Sequence, residues 1–378
     1  MADDEVKKEH INAIVNEIKK DEHVKVETAA AVAEEAKDQE KKEEKKAEEK
    51  EVKEKEEEKK AEEEKKNEAT KEPKKEQKKM KAIQYSSYGG GASALKHVEI
   101  PVPIPKKDEV LIKTLAVSIN PVDLKVQSGL FRPLYPKAFP CVPSSDIAGE
   151  VVEVGFEVKN FKAGDKVVAM LNAFVGGGLA EYVVAKESMT VQRPPEMTPA
   201  EAAGLPVAGL AAYQALTVHA VQLAKLGNIH VTATCGARNI ELVKSLGADE
   251  VLDYKTPEGA ALKSPSGKKY NAIIQCAPPI PWSTFASNLT SHGKVIELTP
   301  GPKAYWAYAV KKVTFSKKQL VPMFVAPKLD HFAFLVKTMK EGKLKTVIDS
   351  RFPFSKTEEA WAKSAEGHAT GKIIVEFE

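Results

Sequence analysis

Six consecutive residues, Asn120-Pro121-Val122-Asp123-Leu124-Lys125, place an amide, a carboxylate and an ammonium in one short stretch of chain. The amide and the ammonium are hydrogen-bond donors of the kind that stabilise a developing oxyanion. Lys125 could donate to such an oxygen or bind a phosphate; a plain surface lysine is the alternative. Asp123 could orient Lys125 or cap a turn. A second group follows a β-branched run: Cys235-Gly236-Ala237-Arg238-Asn239 carries an arginine with no acid beside it. A guanidinium matches a phosphate bidentately, whereas a helix-start arginine on a solvated surface has no such task.

Other chemistries are absent. There is no GxSxG and no GxxxxGK[ST], so neither a nucleophile elbow nor a P-loop is present. The eight histidines fall mostly in tail, turn or helix-surface settings, and His368, before the last strand, reads as structural. Cys141, Cys235 and Cys276 are far apart and form no CxxC pair, which excludes a disulfide framework or a four-cysteine zinc site. Gly89-Gly90-Gly91-Ala92-Ser93-Ala94 formally fits GxGxxA, but it lies between two β-runs and opens no helix, so it reads as a mobile hairpin loop. The run Gly176–Gly178 is likewise a loop.

The elements that position these residues fall in two unlike parts. Residues 1–80 hold 22 Lys, no Arg and 27 acidic residues, a net charge of −5; the rest carries +8. From Lys37 to Lys79 the chain is nearly all Glu, Lys and Ala, with Glu-before-Lys pairs at i,i+4 such as Glu49–Lys53 and Glu62–Lys66. With no apolar face, such a segment is a solvated helix or disorder. Only Ile11, Ile14, Val15 and Ile18 share a face that could dock on a partner. No window reaches the ~18 consecutive apolar residues of a membrane span. The acidic start has no apolar core of a secretory leader and no Arg/Ser-rich transit pattern. A total charge of +3 without an aromatic-rich RNA signature gives no case for nucleic acid.

From Met80 to about Ala200, short β-branched runs (KAIQY, DEVLIKTLAVSIN, IAGEVVEV, DKVVAML, LAEYVVA) are separated by turn signals, which predicts a small barrel or sandwich. From Val218 the period alternates: helix VHAVQLAKL, strand HVTATCG, helix NIELVKSLG, then strands EVLDY, NAIIQCA and GKVIELTP. That is the βαβ rhythm of a parallel, doubly wound sheet, with Arg238 where such a sheet reads the adenosine ribose. Gly236 belongs to the same turn. Tyr254 could flank an adenine, or simply pack at a strand end. Thr299-Pro300-Gly301 lies at the carboxyl edge where ligands of this fold sit, or is only a turn.

Several segments, in order, carry a family likeness: Asn120–Lys125; Asp146-Ile147-Ala148-Gly149-Glu150-Val151-Val152 with Gly155; Phe161–Val167; Gly178-Leu179-Ala180-Glu181-Tyr182; Ala202–Leu210; and Gly367-His368-Ala369-Thr370-Gly371-Lys372-Ile373-Ile374-Val375. Together they cover nearly all of 80–378. The chain resembles the zinc-independent quinone oxidoreductases of the medium-chain dehydrogenase/reductase superfamily. The resemblance implies a GroES-like β-barrel catalytic lobe (80–205), a Rossmann-type cofactor lobe (206–325) and a C-terminal segment (326–378) whose last strand returns to the first lobe, all behind a charged tail (1–79). It implies NADPH as cofactor and hydride transfer to a quinone or an α,β-unsaturated carbonyl, with Asn120 and Lys125 facing the developing oxyanion, Asp123 beside them, and Gly236, Arg238, Tyr254, Thr299 and Gly301 toward the cofactor. Where the zinc branch needs a Cys and a His, this chain has Asn120 and Asp146, so no metal is expected.

One departure is large. The fold begins with an apolar strand and a glycine-rich turn that approaches the pyrophosphate. Here Leu216-Thr217 runs straight into Val218-His219-Ala220-Val221. The sheet's first strand and its phosphate loop are missing together, so cofactor binding is in doubt. Two further classes therefore stay open: a reductase-like scaffold that binds a partner without turnover, and a mis-joined gene model. Ala211 stands where relatives carry a threonine near the nicotinamide. The resemblance places the protein peripherally at the chloroplast envelope; the sequence by itself says only a reducing compartment, the cytosol included. A homodimer is open, as is a membrane or protein contact through the tail.

Overall fold

The computed structural model describes residues 78–215, 218–276, 280–298, 302–323 and 327–378. The expectations for the charged tail, for Thr299 and for Gly301 lie outside these residues.

Strands β1 (Lys79–Gln84) and β2 (Lys96–Pro101) form an antiparallel hairpin across the Gly89–Gly91 loop. A long strand, β3 (Glu109–Ile119), leads into helix α1 (Pro121–Gln127). Then come β4 (Asp146–Val154), β5 (Lys166–Met170), β6 (Tyr182–Lys186) and β7 (Thr190–Gln192). β3 alternates as it does because one face packs on β1 and the other on the helices below. Ile112, Val117 and Ile119 join Ile83, Tyr85, Leu179 and Trp361 in one core. Ala116 joins Ala148, Ala202, Leu205 and Phe332 in a second. β3 and β4 approach so closely that a Cβ at position 149 would lie 2.1 Å from the Lys113 carbonyl oxygen. Only glycine fits there, and the register shifts between Thr114 and Ala116 beside it.

Helices α2 (Pro199–Ala203), α3 (Pro206–Ala215) and α4 (Val218–Leu226) follow, with only residues 216–217 between the last two. The second lobe then runs β8 (Thr232–Cys235), α5 (Ile240–Ser245), β9 (Glu250–Asp253), α6 (Pro257–Ala260), β10 (Tyr270–Gln275), α7 (Trp282–Asn288), β11 (Leu289–Glu297), α8 (Pro302–Val313) and β12 (Gln319–Pro322). After α9 (Leu329–Lys340), β13 (Ile348–Pro353) and α10 (Thr357–Ala365), the chain closes with β14 (Lys372–Glu376). β14 lies antiparallel to β3 and parallel to β13. The C-terminal strands thus extend the first lobe's sheet.

Two features correct or sharpen the sequence reading. The first-lobe strands do not close into a barrel. They form one seven-stranded sheet in the order β13-β14-β3-β4-β5-β7, with β6 on β3. Closure fails because β13 and β7 are free edges, while the β1–β2 hairpin packs on the sheet and is joined to it by the isolated bridges Ala82–Ala180 and Tyr85–Cys141 in place of a strand ladder. In the second lobe the parallel strands fall into two separate sheets, β8-β9 and β10-β11-β12. Among the described residues no strand bridges β8 and β10. Their burial is correspondingly poor: Thr234 on β8 and Asn271 and Ala272 on β10 are exposed, where the centre of a doubly wound sheet is covered on both faces.

Candidate functional site

The register of three neighbouring strands brings polar residues to one end of the first-lobe sheet. β14 and β4 flank β3, with Ser118 opposite both Ile374 and Asp146. Asn120 sits just past the end of β3, Asp146 opens β4 and Lys372 opens β14. The Lys372 ammonium donates to Asn120 Oδ1, and Asn120 Nδ2 donates to Asp146 Oδ2 at 3.0 Å. Lys372 Nζ stands 4.0 Å from that same oxygen. Asp146 also accepts from the Val207 backbone N–H at 3.0 Å, in the first turn of α3, where the helix dipole favours an anion. Asp123 caps α1, accepting from the Asn120 backbone N–H at 2.7 Å.

Burial governs the electrostatics. It pushes Asp123 up to about 8, with Asp146 adding to the effect. It pushes Asp146 up to about 6 against the opposing pull of Lys372. It lowers Lys372, which the two carboxyls partly restore. His219, on α4, is buried and held near pKa 4 by desolvation and by Lys372. Neither of its ring nitrogens has a hydrogen-bond partner, nor do Asp123 Oδ1 or Ser144 Oγ. The group is thus a nearly neutral, dry cluster: an ammonium and a carboxylate joined through an amide, beside a protonated carboxyl and a neutral imidazole.

Of the residues expected to act together, Asn120 and Asp123 do meet. Asn120 uses both ends of its amide inside the cluster, so it orients Lys372. Asp123 caps the helix and makes no contact with Lys125. Lys125 is half-buried, which lowers its pKa. Two members escaped sequence reasoning. Lys372 was visible only as a lysine opening an apolar strand. His219 carried no reading of its own in the sequence, yet it is 2% exposed; its helix is apolar enough that period alone does not show which side is covered.

The second expected group assembles at the ends of β8 and β9. The Tyr254 ring lies beside Gly236, where a Cβ would come 3.6 Å from Tyr254 Cε1. Arg238 follows on a short 3₁₀ turn, and its guanidinium donates to the His368 carbonyl oxygen. Thr370 Oγ1 donates to Asn239 Oδ1 at 3.1 Å. The turn after β8 is therefore bound to the segment that leads into Lys372.

This fold is that of the medium-chain dehydrogenase/reductase superfamily, to which the chain belongs. Residues 106–195 match the alcohol dehydrogenase GroES-like domain and residues 246–375 the zinc-binding dehydrogenase domain. The chain is 62% identical to the chloroplast envelope quinone oxidoreductase homolog of Arabidopsis thaliana, over 325 positions that take in 79% of this chain and 99% of that protein. It is 60% identical to the chloroplastic quinone-oxidoreductase QR1 of Triphysaria versicolor, with the same coverage. The quinone oxidoreductase structure from Coxiella burnetii superposes with a TM-score of 0.71 at 27% identity, covering 79% of this chain and 99% of that one.

Two groups that the superfamily implies can be tested against these residues. Zinc does not fit the cluster: it offers an amide, two carboxyls and one imidazole beside an ammonium, and among the described residues no three His, Cys, Asp or Glu side chains converge to hold a metal. For a dinucleotide, the described residues place Gly236, Arg238 and Tyr254 together at the ends of β8 and β9, with the Arg238 guanidinium already engaged by the His368 carbonyl. Among the described residues no strand with a glycine turn lies between the β8-β9 and β10-β11-β12 sheets.

Proposed function

We propose that this chain is a zinc-independent, NADPH-dependent reductase of quinones or α,β-unsaturated carbonyls, with its cofactor affinity impaired by loss of the pyrophosphate loop. The observation that carries the reading is the Lys372–Asn120–Asp146 cluster, held at a strand end in a chain so close to quinone oxidoreductase homologs. NADPH supplies hydride when bound. The chain's own contribution is a dry donor set. Lys372, oriented by Asn120 and kept charged by Asp146, has a proton to offer a carbonyl oxygen, and Lys125 is a second donor. Asp123 keeps α1, and so Asn120, in place. Gly236, Arg238 and Tyr254 are the proposed adenosine-ribose contacts, with Arg238 favouring the 2′-phosphate.

The impairment rests on the split parallel sheet and on the alignment itself. Its 325 positions take up only about 299 of the 378 residues here, so roughly 25 positions of the Arabidopsis protein have no counterpart. A second reading, a scaffold without turnover, is favoured by one observation: Arg238 is tied to His368 by the chain itself. By kinship the site of action is the chloroplast envelope. Among the described residues no helix is long and apolar enough to cross a membrane.

The test is NADPH oxidation with a quinone acceptor, measured for this chain and for a variant that carries the Arabidopsis strand-and-turn segment between Thr217 and Val218. The reading predicts weak turnover in the first and a strong gain in the second. No turnover in the grafted protein would reject the reductase assignment.

A further inference from the structure

Helix α8 is apolar on two sides. Ala304 and Ala307 face the second-lobe core with Leu320 and Phe285. On the outer side Trp306, Val310 and Val313 recur at i, i+4 and i+7, and they are 74%, 40% and 76% exposed. Phe315, just past the helix, is 90% exposed. An amphipathic surface helix puts polar residues outward; here Trp306, Val310 and Val313 share the outward side with Lys312.

The helix end adds an independent observation. Ser316 N–H donates to the Lys311 carbonyl and Phe315 N–H to the Lys312 carbonyl. These are the two bonds of a Schellman cap, whose left-handed position normally falls to glycine. Phe315 occupies it at φ +50°, a conformation that bulky side chains disfavour. Among the described residues nothing buries its ring in return. An exposed phenyl held in a glycine position points to an external surface that covers it.

The charge pattern says which surface. Residues 302–318 contain five lysines and no acidic residue. Lys311 lies over the Trp282 ring at 3.6 Å and Lys312 over Tyr308 at 5.7 Å, while Lys317 is exposed. A second copy would set these lysines against their own images with no carboxylate to answer them. The adjoining edge strand, β12, is four residues long and ends in Pro322, a blunt edge for strand pairing. An apolar face with an aromatic tip and a lysine rim instead has the pattern of a helix lying in a charged lipid interface.

We propose that the outer face of α8, with Trp306, Val310, Val313 and Phe315, docks this protein onto a lipid surface bearing anionic headgroups, its lysines meeting the headgroups. This goes beyond the reductase reading and does not depend on turnover.

The experiment is sedimentation of the full chain with phosphatidylcholine vesicles, with and without phosphatidylglycerol. Binding to the anionic vesicles is expected to be at least about tenfold tighter. Lys312→Glu with Lys317→Glu, or Trp306→Ser, is expected to weaken it roughly tenfold. Phe315→Gly is the control for folding: it relieves the backbone, so it should melt no lower than the parent while binding vesicles more weakly. Three results would overturn the proposal: equal binding to both vesicle types, unchanged binding by the Phe315→Gly and Trp306→Ser proteins, or a dimer that Trp306→Ser splits while vesicle binding stays the same.

Discussion

Lys372 and Asn120 are 252 residues apart in the chain and share a hydrogen bond, because the strand that Lys372 opens is paired to the strand that Asn120 terminates. Asp146 closes the group from the strand on the other side. The cluster is thus assembled by sheet register, with Asn120 and Asp146 drawn from early in the folded region and Lys372 from its end.

Removing the ammonium should expose that coupling. Lys372→Met leaves Asp146 buried without its cation, and a broken buried pair costs about 3 kcal/mol or more. Asp146→Asn in the same chain should recover most of the loss. Urea unfolding of the two single variants and the double gives the coupling; strictly additive losses would mean that the pair is not linked.

Asp123 predicts a pH dependence of definite sign. Its folded pKa of about 8 lies above the ordinary carboxyl value of 3.8, so the native state holds the proton more tightly. The stability this contributes is complete below pH 3.8 and is lost as pH rises through 8. Between pH 6.5 and 8.5, above the range of Asp146 and His219, the parent should lose stability while Asp123→Asn stays nearly flat. Chemical denaturation at the two pH values decides it, and equal slopes would remove Asp123 as the cause.

His219 predicts the opposite sign at lower pH. Its folded pKa of about 4 lies below the ordinary 6.5. Its stability contribution is therefore present above 6.5 and lost as pH falls toward 4. Replacing an unpartnered buried imidazole by Leu should be neutral or stabilising by about 1 kcal/mol at pH 7. His219→Leu should also flatten the fall in melting temperature between pH 6.5 and 4.5, as differential scanning fluorimetry would show.

Arg238 bears on cofactor choice. In the grafted protein, Arg238→Ala should erase the preference for NADPH over NADH, a change of roughly tenfold or more where a guanidinium pairs with a phosphate. Ratios of kcat/KM for the two cofactors measure it. An unchanged ratio would leave Arg238 only its contact with His368.

Local patterns were legible where they carried their own signature. The βαβ period after Val218 marked the parallel strands, and the direct join of Leu216-Thr217 to Val218 is the feature from which the loss of a strand and a turn is proposed. The parallel strands fall into two sheets, β8-β9 and β10-β11-β12, and the join lies upstream of both in sequence. Barrel closure was not legible, because β-branched runs give strands but not which edges meet. Lys372 meets Asn120 through register across 252 residues, which no spacing encodes. Arg238 is held by a main-chain carbonyl, and a carbonyl has no residue type to betray it. Asp123 was legible in half: capping a turn was one of its two readings, and the Asn120 N–H makes that the one realised.

The most direct measurement is the dissociation constant of NADPH, taken by calorimetric titration on this chain and on the variant with the Arabidopsis strand-and-turn restored. The account predicts weak binding by the chain as it stands and at least about a hundredfold tightening, near 2.7 kcal/mol, once the segment is in place. Equal, tight binding by both proteins would contradict it.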